Sequence, residues 1–279
     1  MIKLILAAVI IGTWNGNWFP SGRAEHRAHP KVEEATMSAA AEMLSKGIAA
    51  LDEGGTNDVV IILNEMRSPE VVSNLVERMS KPNLHVASVS RYRRRDRFDQ
   101  QQDAIITTLP VVDAGWGVWP AKKKVKAPRG TAFSTLIFPG SITTEVYAVH
   151  LKSNYGATNA ALKKENAAKR AIAIEDLLER AGKKKRKVAS VIIGGDFNSD
   201  RDKKEFADET IFADLEKFGF VDFSRLMPEA ERYSHPNKRW GNSLLDYIFV
   251  RGLEAKGRTI RISAEELSDH DAIFGVVGP

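Results

Sequence analysis

The sequence predicts a layered α/β fold, and three features predict it. Short apolar, β-branched runs recur at 59–63, 104–107, 135–138, 146–149, 188–193, 247–250 and 272–277. Runs of that length between Gly, Pro, Asn or Asp read as buried strands. Amphipathic stretches lie between some of them, each suited to cover a sheet with its charged face outward. No internal repeat and no Pro/Ser-rich linker interrupts the 279 residues, which points to one layered domain, residues 1–279, rather than an array.

The elements follow in order. Met1-Ile2-Lys3 and the apolar stretch 4–11 form either a short signal peptide or a long buried strand. The stretch runs without a spacer into Thr13-Trp14-Asn15. A helix is expected over 32–52, where Ala40, Leu44, Ile48 and Leu51 keep helical spacing and Gly54-Gly55 closes the pattern. A second spans 159–180 on the stripe Ala167, Ala171, Ile174, Leu178, with Gly182 just past its end. Further helices are expected at 70–79 and 203–218. No later segment reaches the ~18 apolar residues of a membrane span.

Hydrophobic residues make up 43% and charged residues 28%, enough to bury a core unaided, which excludes a disordered chain. The absence of cysteine excludes disulfides, thiolate metal sites and cysteine nucleophiles, so any metal must be held by oxygen or imidazole. The net charge of +5 is clustered at 91–97, 122–126 and 183–187. Such runs are either solvated loops or contacts for a polyanion such as nucleic acid or an anionic membrane.

Asn15, Glu65, His150, Asp196, Asn198 and Asp246 each lie at or beside the end of an apolar run, where a sheet can aim a side chain into a cleft while its backbone stays fixed. Singly they have plain structural readings: Gly194 to Ser199 as a turn, Ser268-Asp269-His270 as a cap, Glu65 as half of an ion pair. Together, the ordered set Trp14-Asn15, Asn64-Glu65, His150-Leu151-Lys152, Gly195-Asp196-Phe197-Asn198, Leu245-Asp246-Tyr247 and Ser268-Asp269-His270 resembles the endonuclease/exonuclease/phosphatase superfamily of deoxyribonuclease I-like enzymes. The resemblance covers residues 10–277. It implies a four-layer α/β sandwich, two packed mixed sheets flanked by helices, with the active site at one end.

The resemblance also implies roles. Glu65, with Asn15 and Asp269, holds Mg²⁺, with Mn²⁺ or Ca²⁺ as substitutes; hard oxygens suit such ions. His270 is the general base or electrostatic partner of the attacking water, oriented by Asp246. Asp196 orients the nucleophile or protonates the leaving oxygen, Asn198 bonds the phosphate, and His150 binds a phosphate oxygen or acts as acid. His150 stands where abasic-site endonucleases resembling exonuclease III carry tyrosine, which disfavours that repair role. In deoxyribonuclease-like members this histidine has an acidic partner, here Asp96 or Asp103. Arg93, Arg95, Lys152, Asn154 and Trp240 are the expected substrate contacts, with Tyr92 and Phe98 stacking on bases and Trp18 lining the cleft; for the arginine flank and the tryptophans, edge protection and packing stand as alternatives.

The expected activity is that of a metal-dependent phosphodiesterase, foremost a nuclease with little sequence preference, acting as a monomer on nucleic acid as substrate. The alternative is a lipid or small-molecule phosphoesterase, for which residues 114–120, with Trp116 and Trp119, are the nearest candidate for a membrane-contacting hairpin. A binding protein without activity is a third class, opposed by the complete set of competent side chains. Either a secreted or periplasmic location or a cytoplasmic one fits the amino terminus.

Overall fold

A computed structural model describes residues 8–52, 57–94, 97–122, 125–182, 188–239 and 241–279. The residues 1–7, Gly54-Gly55, Arg95, Asp96, Lys123 and Lys124 of the basic run 122–126, the basic run 183–187 and Trp240 of the expectations above lie outside the described residues. In chain order the main elements are β1 (Val9–Phe19), α1 (Pro30–Ala49), β2 (Asp58–Met66), α2 (Pro69–Arg78), β3 (His85–Val89), β4 (Gln102–Thr107), β5 (Val111–Val118), β6 (Gly130–Phe138) and β7 (Ile142–His150). They continue with α3 (Ala160–Ala181), β8 (Ser190–Asp196), α4 (Ile211–Lys217), β9 (Val221–Asp222), β10 (Asp246–Arg251), β11 (Glu254–Ala255), β12 (Ile260–Ile262) and β13 (Ala272–Gly278).

Two mixed sheets result. The first runs β11-β13-β1-β2-β4-β3, with β12 also on β13; the second runs β9-β10-β8-β7-β6-β5. Each holds one parallel pair, β1 with β2 and β7 with β8, and each pair is joined through a helix, as parallel strands require a crossover.

Side-chain alternation along the strands divides the core into layers. In β1 and β2, Val9, Ile11, Val60 and Ile62 enter the cluster between the sheets. Ile10, Trp14, Val59, Ile61 and Leu63 point the other way, to Met37, Ala40, Leu44 and Ile48 of α1. On the far side, Ala173, Ile174 and Leu177 of α3 and Phe212 and Leu215 of α4 cover the second sheet. The four-layer sandwich is thus helix, sheet, sheet, helix. Capping matches sequence: Ser68 Oγ accepts from the Val71 N–H and Asn159 Oδ1 from the Leu162 N–H, at 3.4 and 2.9 Å.

Three expectations change. The helix over 203–218 divides into a 3₁₀ turn, Lys204–Phe206, and α4, because Glu209 between them turns inward to pair with the fully buried Arg170. β3 and β5 were not marked by apolar runs; β5 carries two glycines and is largely exposed. Residues 114–118 belong to β5, paired to β6, and Trp119 is buried, so 114–120 is not a free apolar hairpin. No described helix is long and apolar enough to cross a membrane.

Candidate active site

Strand register assembles the site. β7 and β8 are parallel and put His150 beside Asp196; β10 runs antiparallel and puts Asp246 beside Asp196. Three functional residues therefore stand in one row across three strands, on one face, as cross-strand neighbours do. From the first sheet, the parallel register Asn15 to Asn64 brings Asn15 and Glu65 to the same end. Glu65 and Asn198 adopt left-handed backbone, with φ of 58° and 50°, a conformation costing about 1–2 kcal/mol in a residue with a β-carbon and concentrated at functional sites.

One amide ties the sheets together. Asn64 Oδ1 accepts from the Asp196 N–H at 3.0 Å, and its Nδ2 donates to Asp103 Oδ1 at 2.8 Å. The approach demands glycine at 195: its φ is +132°, and a β-carbon there would lie 2.0 Å from Val149 O and 2.8 Å from Asn64 Oδ1. Behind Asn64, the Tyr92 hydroxyl donates to Asp103 Oδ2 at 2.9 Å. Asp103 is thus engaged away from His150 rather than paired with it, and Tyr92 is buried rather than presented for stacking.

The cleft holds carboxylates close to imidazoles. Asn15 Nδ2 donates to Asp196 Oδ2 at 2.9 Å and, longer, to Glu65 Oε1 at 3.4 Å, while its Oδ1 accepts from the Asn17 N–H. Asn198 donates to Asp196 through its backbone and side chain, both at 2.7 Å. His150 Nε2 lies 3.5 Å from Glu65 Oε1 and 3.6 Å from Asp196 Oδ2. Beside Asp196, His270 Nδ1 meets Asp246 Oδ2 at 2.6 Å, and Ser234 Oγ donates to the same oxygen at 2.7 Å. His270 is further fixed by Trp14 Nε1, which donates to its carbonyl at 3.0 Å. Asp269 stands on the His270 side of the cleft, 3.7 Å from His235 Nε2.

The electrostatics follow from burial. Desolvation raises Asp196 to about 7, helped by the negative charges of Asp246 and Glu65 and opposed by His270 and the Asn198 N–H. Burial alone would lower His270; the adjoining Asp246 carboxylate, with Asp196 and Asp269, raises it to about 10 instead. Burial, with Arg129, His270 and Lys152 nearby, holds His150 well below the usual imidazole range. The site pairs a neutral and a protonated imidazole with a carboxyl that titrates near neutrality, a combination suited to proton transfer.

Buried Glu65 Oε2 and Asp246 Oδ1 have no hydrogen-bond partner. A buried carboxylate oxygen without a donor is costly, and a hard cation would satisfy it. The donor set therefore fits a divalent ion on Glu65.

The outer residues divide. Arg93 lies on a short exposed hairpin with its guanidinium 5.3 Å from the Phe98 ring centre. Lys152 is partly buried and donates to Ser153 O at 2.7 Å. Asn154 is half-buried, and its Oδ1 accepts from buried Arg170 at 3.4 Å. Trp18 stands under the Arg23 guanidinium at 4.8 Å and lines a groove of about 830 Å³ that includes Asp269 and Tyr155. Ser234, His235 and Arg129, whose Nη2 donates to Leu151 O at 3.3 Å, were not among the expected site residues, and Asn64 stood in the ordered set without an assigned role. Ser234 and His235 sit in a polar loop with no apolar run to flag them.

The fold is shared with solved structures of low identity. One is an endonuclease/exonuclease/phosphatase from Beutenbergia cavernae DSM 12333: TM-score 0.66, 13% identity, covering 98% of this chain and 72% of that one. D. rerio TDP2 complexed with single strand DNA product gives 0.62 and 16%, covering 98% and 99%. Beta toxin 275-280 from Staphylococcus aureus gives 0.61 and 16%, covering 95% and 98%. No curated protein sequence matches the chain. The Endonuclease/Exonuclease/phosphatase family model matches residues 12–270. With that match over most of its length and the sandwich it adopts, the chain belongs to the Endonuclease/Exonuclease/phosphatase family, metal-dependent hydrolases of phosphodiester bonds.

Proposed function

We propose that the protein is a Mg²⁺-dependent nuclease that cleaves DNA, RNA or both through backbone contacts, with little sequence preference. The observation that carries the hydrolytic reading is the row His150, Asp196, Asp246 facing Glu65, whose buried Oε2 has no donor. When bound, Mg²⁺ neutralises phosphate charge. Glu65 holds it, with Asn15 beside Glu65 and Asp269 contributing from the His270 side. Asp246 fixes the His270 ring through Nδ1, leaving Nε2 to orient the attacking water. Asp196, held by Asn15 and Asn198, exchanges a proton with a reacting oxygen, and neutral His150 bonds a phosphate oxygen.

The nucleic-acid substrate is favoured by the clustered positive charge, and a fold neighbour, D. rerio TDP2, is described with single strand DNA product. Exposed Val112, Trp116 and Val118 on β5 favour a second reading, a lipid phosphoester. The deciding experiment is cleavage of supercoiled plasmid, linear duplex and single-stranded RNA with Mg²⁺, Mn²⁺ or EDTA, alongside phosphocholine release from sphingomyelin vesicles. Nucleic-acid cleavage abolished by EDTA, Glu65→Ala and His270→Ala supports the nuclease; vesicle hydrolysis without it moves the substrate to lipid.

A further inference from the structure

His235 has no task in the hydrolysis outlined above, yet it is firmly placed beside His270 and Asp269. Its N–H donates to Ser243 O at 2.8 Å and its carbonyl accepts from the Ser243 N–H at 3.0 Å, while the carbonyl of Ser234 before it accepts from the Asp271 N–H at 2.6 Å. The His235 ring meets that of His270 edge-on, with centroids 5.0 Å apart, and its Nε2 lies 3.7 Å from Asp269 Oδ2. One ligand atom from each of His235, Asp269 and His270 lies within 4.8 Å of the others. A tetrahedral zinc with bonds of about 2.0–2.1 Å holds its ligands roughly 3.4 Å apart. Closing the triad therefore takes a side-chain movement of roughly 1 Å, which Asp269, its side chain 54% exposed, is free to make.

The chemistry selects the ion. Two imidazoles and one carboxylate suit Zn²⁺, whereas Mg²⁺ prefers an all-oxygen shell. The His270 Nδ1 is tied to Asp246 at 2.6 Å, so the ring offers Nε2; a carboxylate behind a ligating imidazole fixes its tautomer and strengthens the ligand. The neighbouring group Asp196, Asp246 and His270 is also compact, but it is wholly buried and Asp246 Oδ2 already has two partners. The His235 triad reaches solvent through exposed Asp269 and partly exposed His235, with His270 buried behind them, so an ion can enter from the Asp269 side and keep water in its remaining position. Zn²⁺ would displace the His270 proton, as metals do at imidazole ligands.

We propose that His235, Asp269 and His270 form a Zn²⁺ site that shares Asp269 with the proposed Mg²⁺ ligands, leaves Glu65 and Asn15 outside it, and inhibits hydrolysis when occupied. The inhibition rests on the proposed function, because it removes His270 Nε2 from the attacking water; the binding does not. The test is calorimetric titration of ZnCl₂ into the full chain in Mg²⁺ buffer, for wild type, His235→Ala and His235→Gln, each first shown to melt as wild type does. One Zn²⁺ per wild-type chain, weakened about a hundredfold in a folded variant, is expected. Zn²⁺ should then inhibit Mg²⁺-dependent hydrolysis by wild type far more than by that variant. Equal affinity in wild type and variants, or no stoichiometric binding to wild type, would overturn the site. Tight binding with inhibition unchanged in the variant would overturn the inhibitory role. A wild type inactive on every phosphoester counts against the hydrolase reading alone, and the titration still decides the site.

Discussion

Two clusters of buried charge in this protein have opposite hydrogen-bond accounts. Around Arg170, which is fully buried, every guanidinium nitrogen has an acceptor: Nε donates to Glu209 Oε2 at 2.8 Å, Nη2 to the other Glu209 oxygen, and Nη1 to Lys152 O and Asn154 Oδ1. In the cleft, Glu65 Oε2, His150 Nδ1 and Asp246 Oδ1 are buried without partners. A saturated cluster is finished by folding, whereas an unsaturated one is completed by something that binds. The first should govern stability and the second turnover.

Glu65→Ala should break the comparison most visibly: phosphodiesterase activity falling by about a thousandfold or more, as expected when the charge-neutralising ion is lost. Its melting temperature should hold or rise, because a buried carboxylate oxygen without a donor disappears; a large loss of stability would place Glu65 with the structural cluster. Arg170→Ala should do the reverse, costing about 3–5 kcal/mol by stranding Glu209, read by urea unfolding. Adding Glu209→Leu should recover much of that loss, and hydrolysis per folded molecule should stay near wild type.

A pH series sharpens the contrast further. Burial raises Asp103 from 3.8 to about 7 despite the donors Asn64 and Tyr92, so the folded state keeps a proton that the unfolded chain has released. The stability this carboxyl contributes is therefore complete below about pH 4 and falls as pH rises toward 7, by at most about 1.4 kcal/mol per pH unit, then levels off. Asp196 acts with the same sign. Asp103→Asn should flatten part of that slope in melting temperatures taken from pH 4.5 to 7.5; an unchanged slope would remove Asp103 as its source. Smallest is Ser234→Ala. Ser234 Oγ accepts the Leu245 and Asp246 N–H groups at 3.0 and 2.9 Å and donates to the Asp246 carboxylate. Its loss should cost about 1–2 kcal/mol and lower activity by roughly tenfold, with the Asp246–His270 contact loosened.

The sequence made the row of strand-end residues legible because β-branched runs stop at them: Glu65 after 59–63, His150 after 146–149, Asp196 after 188–193. The helices at 32–52 and 159–180 were legible by the same periodic logic and appear as α1 and α3. What stayed hidden depends on partners distant in sequence. Asn64 reaches Asp196 across 132 positions, Tyr92 turns inward only because Asp103 lies behind it, and His235 is set by a two-residue bridge to Ser243 that has no periodicity to read. The division of the 203–218 helix likewise follows from Glu209 answering Arg170 on another element.

The absent side chains at Gly194 and Gly195 make cleft width a mechanical property of the whole interior. A β-carbon on Gly194 would fall 2.5 Å from Ile62 Cδ1, and one on Gly195 would strike the Asn64 amide, so the second sheet rests on the first directly behind Asp196. The layers behave there as two plates touching through one spacer. A change of volume deep between them, such as Ile62→Val or modest hydrostatic pressure, would be transmitted to the distance between Asp196 and Glu65, making turnover a sensitive gauge of inter-sheet packing.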